Sequence, residues 1–316
     1  MNNLLLFLCA WGVFNTPEVS FEGAAQGTTY HIRYMDADQR NLQIQVDSIL
    51  ADIDKCLSTY RTDSDISIFN QFGAFRFQSV HFYPVLQKAY EVYKATNGAF
   101  DPTIMPLAEA YRKGKTTGKP WLHQVDSLLQ YVGFQYITFD KETVQRSKEH
   151  VRLDPDGIAQ GYTVDVIAAF LESKGIVDYV VEVGGELRCT NARTVRIEDP
   201  THPDSRMAVL KLKDRSMTTA ANYNDHYSAG GQTFNHILHP KKGIAPPDAL
   251  LSVTIIAADC ITADAYDTAC MVLGLEGTKK LLAEHPELDA YLVYRETDGT
   301  LKVFMTEGVK RMLILP

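Results

Sequence analysis

The sequence has no closely spaced pair of cysteines and no long run of lysine or arginine. Its five cysteines are scattered, without the spacing of a zinc site, and their odd number argues against a disulfide framework. The formal net charge is −8, so the chain lacks the basic surface that sequence-independent nucleic-acid binding requires. An acidic protein that binds a phosphate-rich ligand is therefore expected to use a metal ion, helix N-termini or both.

Long apolar segments are also scarce. No stretch reaches the roughly 20 apolar residues that a transmembrane helix needs. Residues 4–11 form a short apolar run like that of a secretory signal, although Met1-Asn2-Asn3 lacks the usual Lys or Arg. We expect residues 1–20 to be a signal or lipoprotein segment with Cys9 as its lipidation site, and residues 21–316 to form the folded domain. A buried first strand is the alternative.

The remaining sequence mixes helix and strand patterns. A content of 45% hydrophobic and 22% charged residues is typical of a soluble globular protein. Apolar spacings of three and four residues predict helices at 42–57, 85–93, 122–132, 164–171 and 262–273. Alternating runs predict strands at 28–34, 179–183, 187–189, 195–197, 207–212 and 251–257, with hairpins at 136–145 and 291–305. Because the two patterns do not strictly alternate, we predict an α+β fold of mixed sheets with packed helices.

The segment Asp154-Pro155-Asp156-Gly157 directly precedes the helix predicted at 164–171. Unpaired N–H groups at the start of a helix can bind an anion, and neighbouring carboxylate and carbonyl oxygens can hold a hard cation. The same residues also form a good turn, and an Asp before a helix is often only a cap. The segment alone does not decide between these interpretations.

Asp264 and Thr268 form a second candidate set of oxygen ligands. Their spacing of four residues puts both side chains on one face of the helix predicted at 262–273. A carboxylate and a hydroxyl placed in this way can bind one Mg²⁺ ion. The alternative is an acid favoured by the helix dipole beside an ordinary Thr.

Three further segments carry groups suited to catalysis or stacking. His236 follows the turn Gly230-Gly231, and histidine is a residue type that commonly serves as a general base, although the chain has nine His residues and most are expected at the surface. Tyr60 has a flat ring suited to stacking, and Asp101 follows a predicted helix end at Asn97-Gly98. The segments of Tyr60 and Asp101, each taken alone, are more typical of a turn than of a site, and a lone His is weak evidence of catalysis.

The order of these segments is more specific than any one of them. From about Gly27 to about Gly274, the chain resembles the ApbE family of FAD:protein FMN transferases. The matching segments are Gly27-Thr28-Thr29-Tyr30, Ser58-Thr59-Tyr60-Arg61, Ser64-Asp65-Ile66-Ser67, Gly98-Ala99-Phe100-Asp101-Pro102-Thr103, Leu153 to Asp165, Val183-Gly184-Gly185-Glu186, Asn235-His236-Ile237-Leu238-His239-Pro240 and Ala263 to Ala269.

The resemblance implies an Mg²⁺-dependent enzyme that cleaves FAD, transfers FMN through its phosphate to a Thr or Ser hydroxyl of an acceptor flavoprotein, and releases AMP. It implies that Asp264, Thr268 and the backbone carbonyl of Gly157 bind Mg²⁺. It implies that His236 takes the proton of the acceptor hydroxyl. The residues expected to contact FAD are Tyr60, Ala99, Phe100, Asp101, Asp154, Gln160 and Ile237.

The chain departs from the family pattern at three places. Gln26 stands where the family usually has Met, and Gln160 stands where it often has Lys, so that one positive contact to the ligand is missing. The segment Leu238 to Gly243 replaces the usual Ile-Asp-Pro-x-Thr-Gly, and its Lys241 or Lys242 is a candidate for restoring positive charge near the phosphates. These changes affect the expected affinity for FAD more than the chemistry.

Two other functions remain compatible with the same residues. With water as acceptor, the site would make an Mg²⁺-dependent FAD pyrophosphatase that gives FMN and AMP. A flavin-binding protein without turnover is the non-enzymatic alternative, although storage needs neither a base nor phosphate activation. If the N-terminal segment directs export, we expect the protein on the periplasmic side of the bacterial cell envelope, with a lipid at Cys9 as a membrane anchor.

Overall fold

The computed structural model describes residues 16–222, 226–244 and 249–315. The helices are α1 (Gln43–Leu57), α2 (Asp65–Phe72), α3 (Phe82–Ala95), α4 (Met105–Thr117), α5 (Val125–Leu129), α6 (Ala159–Ser173), α7 (Cys260–Glu284) and α8 (Glu307–Met312). The strands are β1 (Glu18–Ala25), β2 (Thr28–Met35), β3 (Ala74–Arg76), β4 (Ile137–Phe139), β5 (Thr143–Arg146), β6 (Tyr179–Val183), β7 (Glu186–Asp199), β8 (His202–Ala221), β9 (His226–Ala229), β10 (Gln232–Asn235), β11 (Leu250–Ala257), β12 (Asp289–Arg295), β13 (Leu301–Met305) and β14 (Leu313–Leu315). The predicted α+β fold is confirmed.

A nine-stranded antiparallel sheet forms the centre of the fold. Its strand order is β1-β2-β6-β7-β8-β11-β12-β13, and β14 pairs with β8. Helix α7 packs on β8 and β11, whereas α6 packs on α7 and β6. Two smaller sheets, β9-β10 and β3-β5-β4, complete the strand pairing within the described ranges. This arrangement brings the first turns of α6 and α7 together.

The apolar spacing that predicted α6 corresponds to its buried face. Val164, Ile167, Ala168 and Leu171 are all fully buried, as a stripe of three- and four-residue spacing requires. The helix begins after Ile158, whose side chain makes no capping hydrogen bond. The alternative in which Asp154 or Asp156 is simply the cap of this helix is therefore wrong.

Several element boundaries differ from the sequence predictions. Helix α4 was not predicted, and the helix predicted at 122–132 is a 3₁₀ turn followed by the five-residue α5, because its last amides bond to the third preceding residue. The strands predicted at 187–189 and 195–197 are one strand, β7. The helix predicted at 262–273 ends at a kink at Gly274 (φ 71°), beyond which α7 continues to Glu284.

The N-terminal prediction is only partly within the described ranges. Residues 18–20 belong to β1, which pairs with β2 along its whole length, so the folded part starts before the predicted boundary at residue 21. Residues 1–15, and with them Cys9, lie outside the described residues. No helix in the described part is both long and apolar enough to cross a membrane.

Candidate active site

A cavity of about 450 Å³ lies between α4, the loop before α6, the start of β7, the end of β8 and α7. All the residues predicted for the site line this cavity: Tyr60, Ala99, Phe100, Asp101, Asp154, Gly157, Gln160, His236, Ile237, Asp264 and Thr268. Residues that are far apart in the sequence thus face one space.

The three predicted metal ligands meet where the loop before α6 touches α7. Gly157 has φ +85°, and a Cβ at this position would lie 2.7 Å from Oγ1 of Thr268, so only glycine fits here. Asp264 lies one turn before Thr268 on α7, is 5% exposed, and accepts a 2.8 Å hydrogen bond from the Gly161 amide. A carboxylate, a hydroxyl and a carbonyl are the hard oxygen donors that Mg²⁺ prefers.

Two further carboxylates, Asp267 and Glu186, line the cavity and were not assigned a role from the sequence. Asp267 is 3% exposed, and Oε2 of Glu186 is buried without a hydrogen-bond partner among the described residues. Both lay within the matching segments, and Asp267 shares a helix face with Asp264 at a spacing of three residues. That spacing was the signal that could have found it.

The raised pKa values of these acids show that their ionised forms are unfavourable in the cavity. Burial is the largest cause and raises the pKa of Asp264 to about 7. Burial and then the charge of Asp264 raise the pKa of Glu186 to about 8, and the same two causes hold the pKa of Asp267 well above its usual range. A bound cation would relieve this repulsion, so the residues present fit a divalent ion.

The proposed metal set does not depend on a cluster of acids alone. Within residues 16–222, 226–244 and 249–315, no three His, Cys, Asp or Glu side chains are arranged as a metal centre. The predicted set instead combines one carboxylate with a hydroxyl and a backbone carbonyl. Asp267 would add a second carboxylate from the same helix.

Arg112 on α4 lines the cavity, although no sequence pattern predicts it there. Its Nη2 donates to Asp154 and to Asp156, at 2.9 Å each, and its Cζ lies 5.6 Å from the centre of the Tyr60 ring. Burial and the charge of Asp156 raise the pKa of Asp154 to about 7, whereas Arg112 lowers it. No local pattern connects residue 112 with residue 154, so only the fold reveals this pair.

The predicted aromatic wall combines an exposed ring with a buried segment. Tyr60 is 79% exposed, whereas Ala99 and Phe100 are buried. Asp101 also lines the cavity, but its oxygens accept hydrogen bonds from the amide and hydroxyl of Thr103 and from the Phe134 amide. Burial raises the pKa of Asp101 to about 6. These bonds fix the shape of the segment at this side of the cavity.

His236 lies in the loop after β10, at the edge of the cavity. The residue is exposed, whereas the next two, Ile237 and Leu238, are each 7% exposed and are packed inward. The side chain of Asn235 accepts a 3.0 Å hydrogen bond from the Ile237 amide and so shapes the loop. The imidazole is thus held by a fixed backbone at a place that a large partner can reach.

The residues that depart from the family pattern have different positions. Gln160 lines the cavity, and Nε2 of Gln26 donates to Oγ1 of Thr163 at 2.8 Å. Lys241 donates to the carbonyl of Asn97 at 2.6 Å, and neither Lys241 nor Lys242 is among the cavity-lining residues of the described chain. Among the described residues that line the cavity, the positively charged side chain is that of Arg112.

Comparisons with known proteins agree with the resemblance. The chain matches the model of the ApbE family over residues 26–292. It is 32% identical to the FAD:protein FMN transferase of Haemophilus influenzae, covering 90% of this chain and 88% of that protein. For the FAD:protein FMN transferase of Vibrio cholerae the identity is 29%, with 94% and 93% covered.

Solved structures give the same result. The flavin transferase ApbE from Vibrio cholerae has a TM-score of 0.82 at 26% identity, covering 94% of this chain and 99% of that one. The apo form of the Pseudomonas stutzeri flavinyl transferase ApbE has a TM-score of 0.85 at 26% identity, with 96% and 99% covered. The chain therefore belongs to the ApbE family.

Proposed function

We propose that this chain transfers FMN from FAD to a Thr or Ser hydroxyl of an acceptor flavoprotein and releases AMP, with Mg²⁺ bound in the cavity. The relatives aligned over 90% or more of the chain are FAD:protein FMN transferases, and the predicted enzyme class, a transferase, is confirmed. Gly157, Asp264 and Thr268 line the same cavity as Tyr60 and His236.

The Mg²⁺ ion would be held by the carbonyl of Gly157 and the side chains of Asp264, Asp267 and Thr268. When bound, it offsets the negative charge of the diphosphate oxygens and makes the phosphorus a better electrophile. A cation would also reduce the repulsion between a diphosphate and the buried carboxylates of Glu186, Asp264 and Asp267 that line the same cavity.

We assign the acceptor proton to His236. The hydroxyl oxygen of the acceptor forms a bond to the flavin-side phosphorus, the bond from that phosphorus to the bridging oxygen breaks, and AMP leaves with that oxygen. A Thr hydroxyl is a weak nucleophile, and a positioned base accelerates such a step by about 10²–10⁴-fold. Because His236 is exposed while Ile237 and Leu238 are buried, a protein acceptor can reach it.

The remaining predicted residues would bind and orient FAD. The exposed ring of Tyr60 offers a flat face for stacking on the isoalloxazine or adenine. Ala99, Phe100, Asp101 and Ile237 would form the adjacent wall, and Asp154 and Gln160 would make polar contacts. Such contacts bring the reacting phosphorus to a fixed position, which lowers the entropic part of the barrier.

The test is incubation of the protein with FAD, Mg²⁺ and an acceptor that carries a Thr in an Asp/Ser-x-x-Thr context. Mass spectrometry is expected to find an FMN adduct on that Thr, together with AMP, and a Thr→Val acceptor is expected to remain unmodified. AMP without an adduct would favour the pyrophosphatase alternative. Binding of FAD with neither product would favour a flavin-binding protein.

We further propose that the protein works on the periplasmic side of the bacterial cell envelope, held by a lipid at Cys9. The support is the short apolar run at residues 4–11. Membrane fractionation and mass spectrometry of the N-terminal peptide test this, with Cys9→Ser as the comparison. An unmodified Cys9 in a soluble fraction would contradict the proposal.

A further inference from the structure

The charges that line the cavity are unbalanced. Carboxyl groups come from six residues: Asp101, Asp154, Asp156, Glu186, Asp264 and Asp267. Among the cavity-lining residues of the described chain, Arg112 is the one side chain with a permanent positive charge. Any anion that enters this cavity therefore meets a single protein cation, in addition to whatever metal is bound.

We propose that Arg112 binds a phosphate group of the flavin dinucleotide and so is a substrate-positioning residue of this chain; this rests on the proposed function. Only some of the N–H donors of this guanidinium form hydrogen bonds with the described residues. Both carboxylate contacts use Nη2, and within the described ranges Nη1 donates only to the sulfur of Met105, at 3.8 Å. A guanidinium has five N–H donors in a planar fork, so Nε and one N–H of Nη1 have no acceptor in the described part of the chain.

Asp154 and Asp156 hold the Arg112 side chain in place without using all of its N–H donors. Asp154 is 2% exposed and fixes one side of the guanidinium, whereas Asp156 is 60% exposed. An ion pair with so exposed a carboxylate is weak, and a phosphate can replace it at little cost. The exposed ring of Tyr60 lies beneath the guanidinium and restricts its plane.

Arg152 is a natural comparison for this assignment. It lies two residues before Asp154 and pairs with Glu109 of α4, with Nη1 and Nη2 each donating at 2.6 Å to a separate carboxylate oxygen. Its side chain is 30% exposed, and that of Arg112 is 33% exposed. Arg152 does not line the cavity, and its fork is filled by a carboxylate. Both Nη groups of Arg152 thus donate to one carboxylate, whereas Arg112 lines the cavity and binds its two carboxylates through Nη2.

The test compares ligands that differ by one phosphate and that the enzyme does not cleave. Affinities for FMN and riboflavin, and for AMP and adenosine, are measured by titration calorimetry with saturating Mg²⁺. Arg112→Gln is expected to lower the affinity for FMN, for AMP or for both by about tenfold or more, as loss of a charge-assisted hydrogen bond does. The affinities for riboflavin and adenosine are expected to stay within about twofold of the wild-type values. Arg152→Gln is expected to change neither pair.

Two other results would overturn the proposal. One is an equal loss of affinity for ligands with and without phosphate in Arg112→Gln. That result would mean that Arg112 only supports the fold or the position of the Tyr60 ring. The other is a wild-type protein that binds FMN no better than riboflavin and AMP no better than adenosine. If Arg112→Gln does not fold, Arg112→Lys decides, because Lys keeps the charge and lacks the fork; its phosphate-dependent affinity is expected to fall several-fold, and an unchanged value would overturn the proposal.

These outcomes are independent of whether the chain is a transferase. Failure to form an FMN adduct from FAD would contradict the proposed function and leave the phosphate measurements valid. Loss of the phosphate effect with normal adduct formation would remove Arg112 from the substrate site and leave the proposed function intact.

Discussion

The backbone amide of Gly161 donates a 2.8 Å hydrogen bond to Oδ2 of Asp264. In return, Asp165 of α6 accepts hydrogen bonds from the amides of Cys260 and Ile261 at 3.0 and 2.9 Å. Helices α6 and α7 therefore each satisfy the free amides at the N-terminus of the other, where a helix dipole favours negative charge. This reciprocal capping holds the proposed metal ligand Asp264 in place.

The close contact at Gly161 makes this position sensitive to any side chain. In Gly161→Ala, the new Cβ would lie 2.4 Å from the carbonyl oxygen of Cys260 and 2.7 Å from Cβ of Asp264. We expect the free energy of unfolding to fall by about 1–3 kcal/mol, the usual cost of overpacking, and Mg²⁺ affinity to fall as Asp264 shifts. Chemical denaturation and Mg²⁺ titration measure the two effects.

Gly277→Ala is the matched control for Gly161→Ala. Gly277 lies in α7, away from the contact with α6, and its added Cβ would approach the Leu273 side chain at 3.0 Å. A smaller loss of stability and no change in Mg²⁺ affinity are expected there. Equal effects of the two substitutions on Mg²⁺ affinity would show that the α6–α7 contact does not position the proposed metal ligands.

The sequence predicted those features that depend on local periodicity. The apolar stripe from Val164 to Leu171 fixed the buried face of α6, and the spacing of Asp264 and Thr268 fixed their common face on α7. Strand β7 was divided in the prediction because a register shift between Cys189 and Ala192, with Asn191 at φ 58°, interrupts the alternation. A bulge of this kind bends a strand without ending it.

The missed parts of the site depend on contacts between distant segments. Helix α4 has Pro106 in its first turn and a polar second half, so its apolar pattern is weak and Arg112 was not placed. The ion pair of Arg112 with Asp154 spans 42 residues, and no spacing rule reaches so far. The resemblance located the matching segments, but only the packing of α4 against the loop before α6 shows what lies between them.

Asp264→Ala is expected to abolish Mg²⁺-dependent turnover of FAD. The substitution removes the one charged ligand in the predicted set and also the acceptor for the Gly161 amide. Asp264→Asn keeps the shape and separates the two losses, because it retains an oxygen for the amide but lacks the charge. AMP release measured over a range of Mg²⁺ concentrations checks both variants, and full activity of Asp264→Ala at low Mg²⁺ would contradict the metal assignment.

His236→Ala is expected to impair FMN transfer far more than FAD binding. Loss of a general base slows the chemical step by about 10²–10⁴-fold, whereas the wall formed by Ile237 and Leu238 stays in place because both are buried. Single-turnover transfer rates and FAD titrations separate the two quantities. His239→Ala serves as the control in the same loop. If transfer and binding fell equally in His236→Ala, the residue would belong to the binding pocket.

The raised pKa values of the buried acids predict how pH affects the metal-free protein. The pKa of Asp264 is raised from 3.8 to about 7 and that of Glu186 from 4.5 to about 8, with burial as the main cause. A carboxyl group whose pKa is higher in the folded than in the unfolded protein stabilises the fold while it is protonated. This stabilisation is fully present below the unfolded-state pKa and is lost as pH rises through the folded-state pKa. In EDTA, the Tm is therefore expected to fall between about pH 5 and pH 8.

Added Mg²⁺ is expected to reverse this trend, because the ion binds the ionised carboxylates and stabilises the folded state by mass action. The gain in Tm on adding Mg²⁺ should therefore be larger at about pH 8 than at about pH 5. Burial lowers the pKa values of His81 and His239. These two residues therefore lower the stability of the folded protein as pH falls below the ordinary pKa of histidine, which opposes the effect of the acids. The decisive quantity is thus the difference between wild type and Asp264→Asn, and an equal, pH-independent gain in both proteins would contradict a cation bound by these acids.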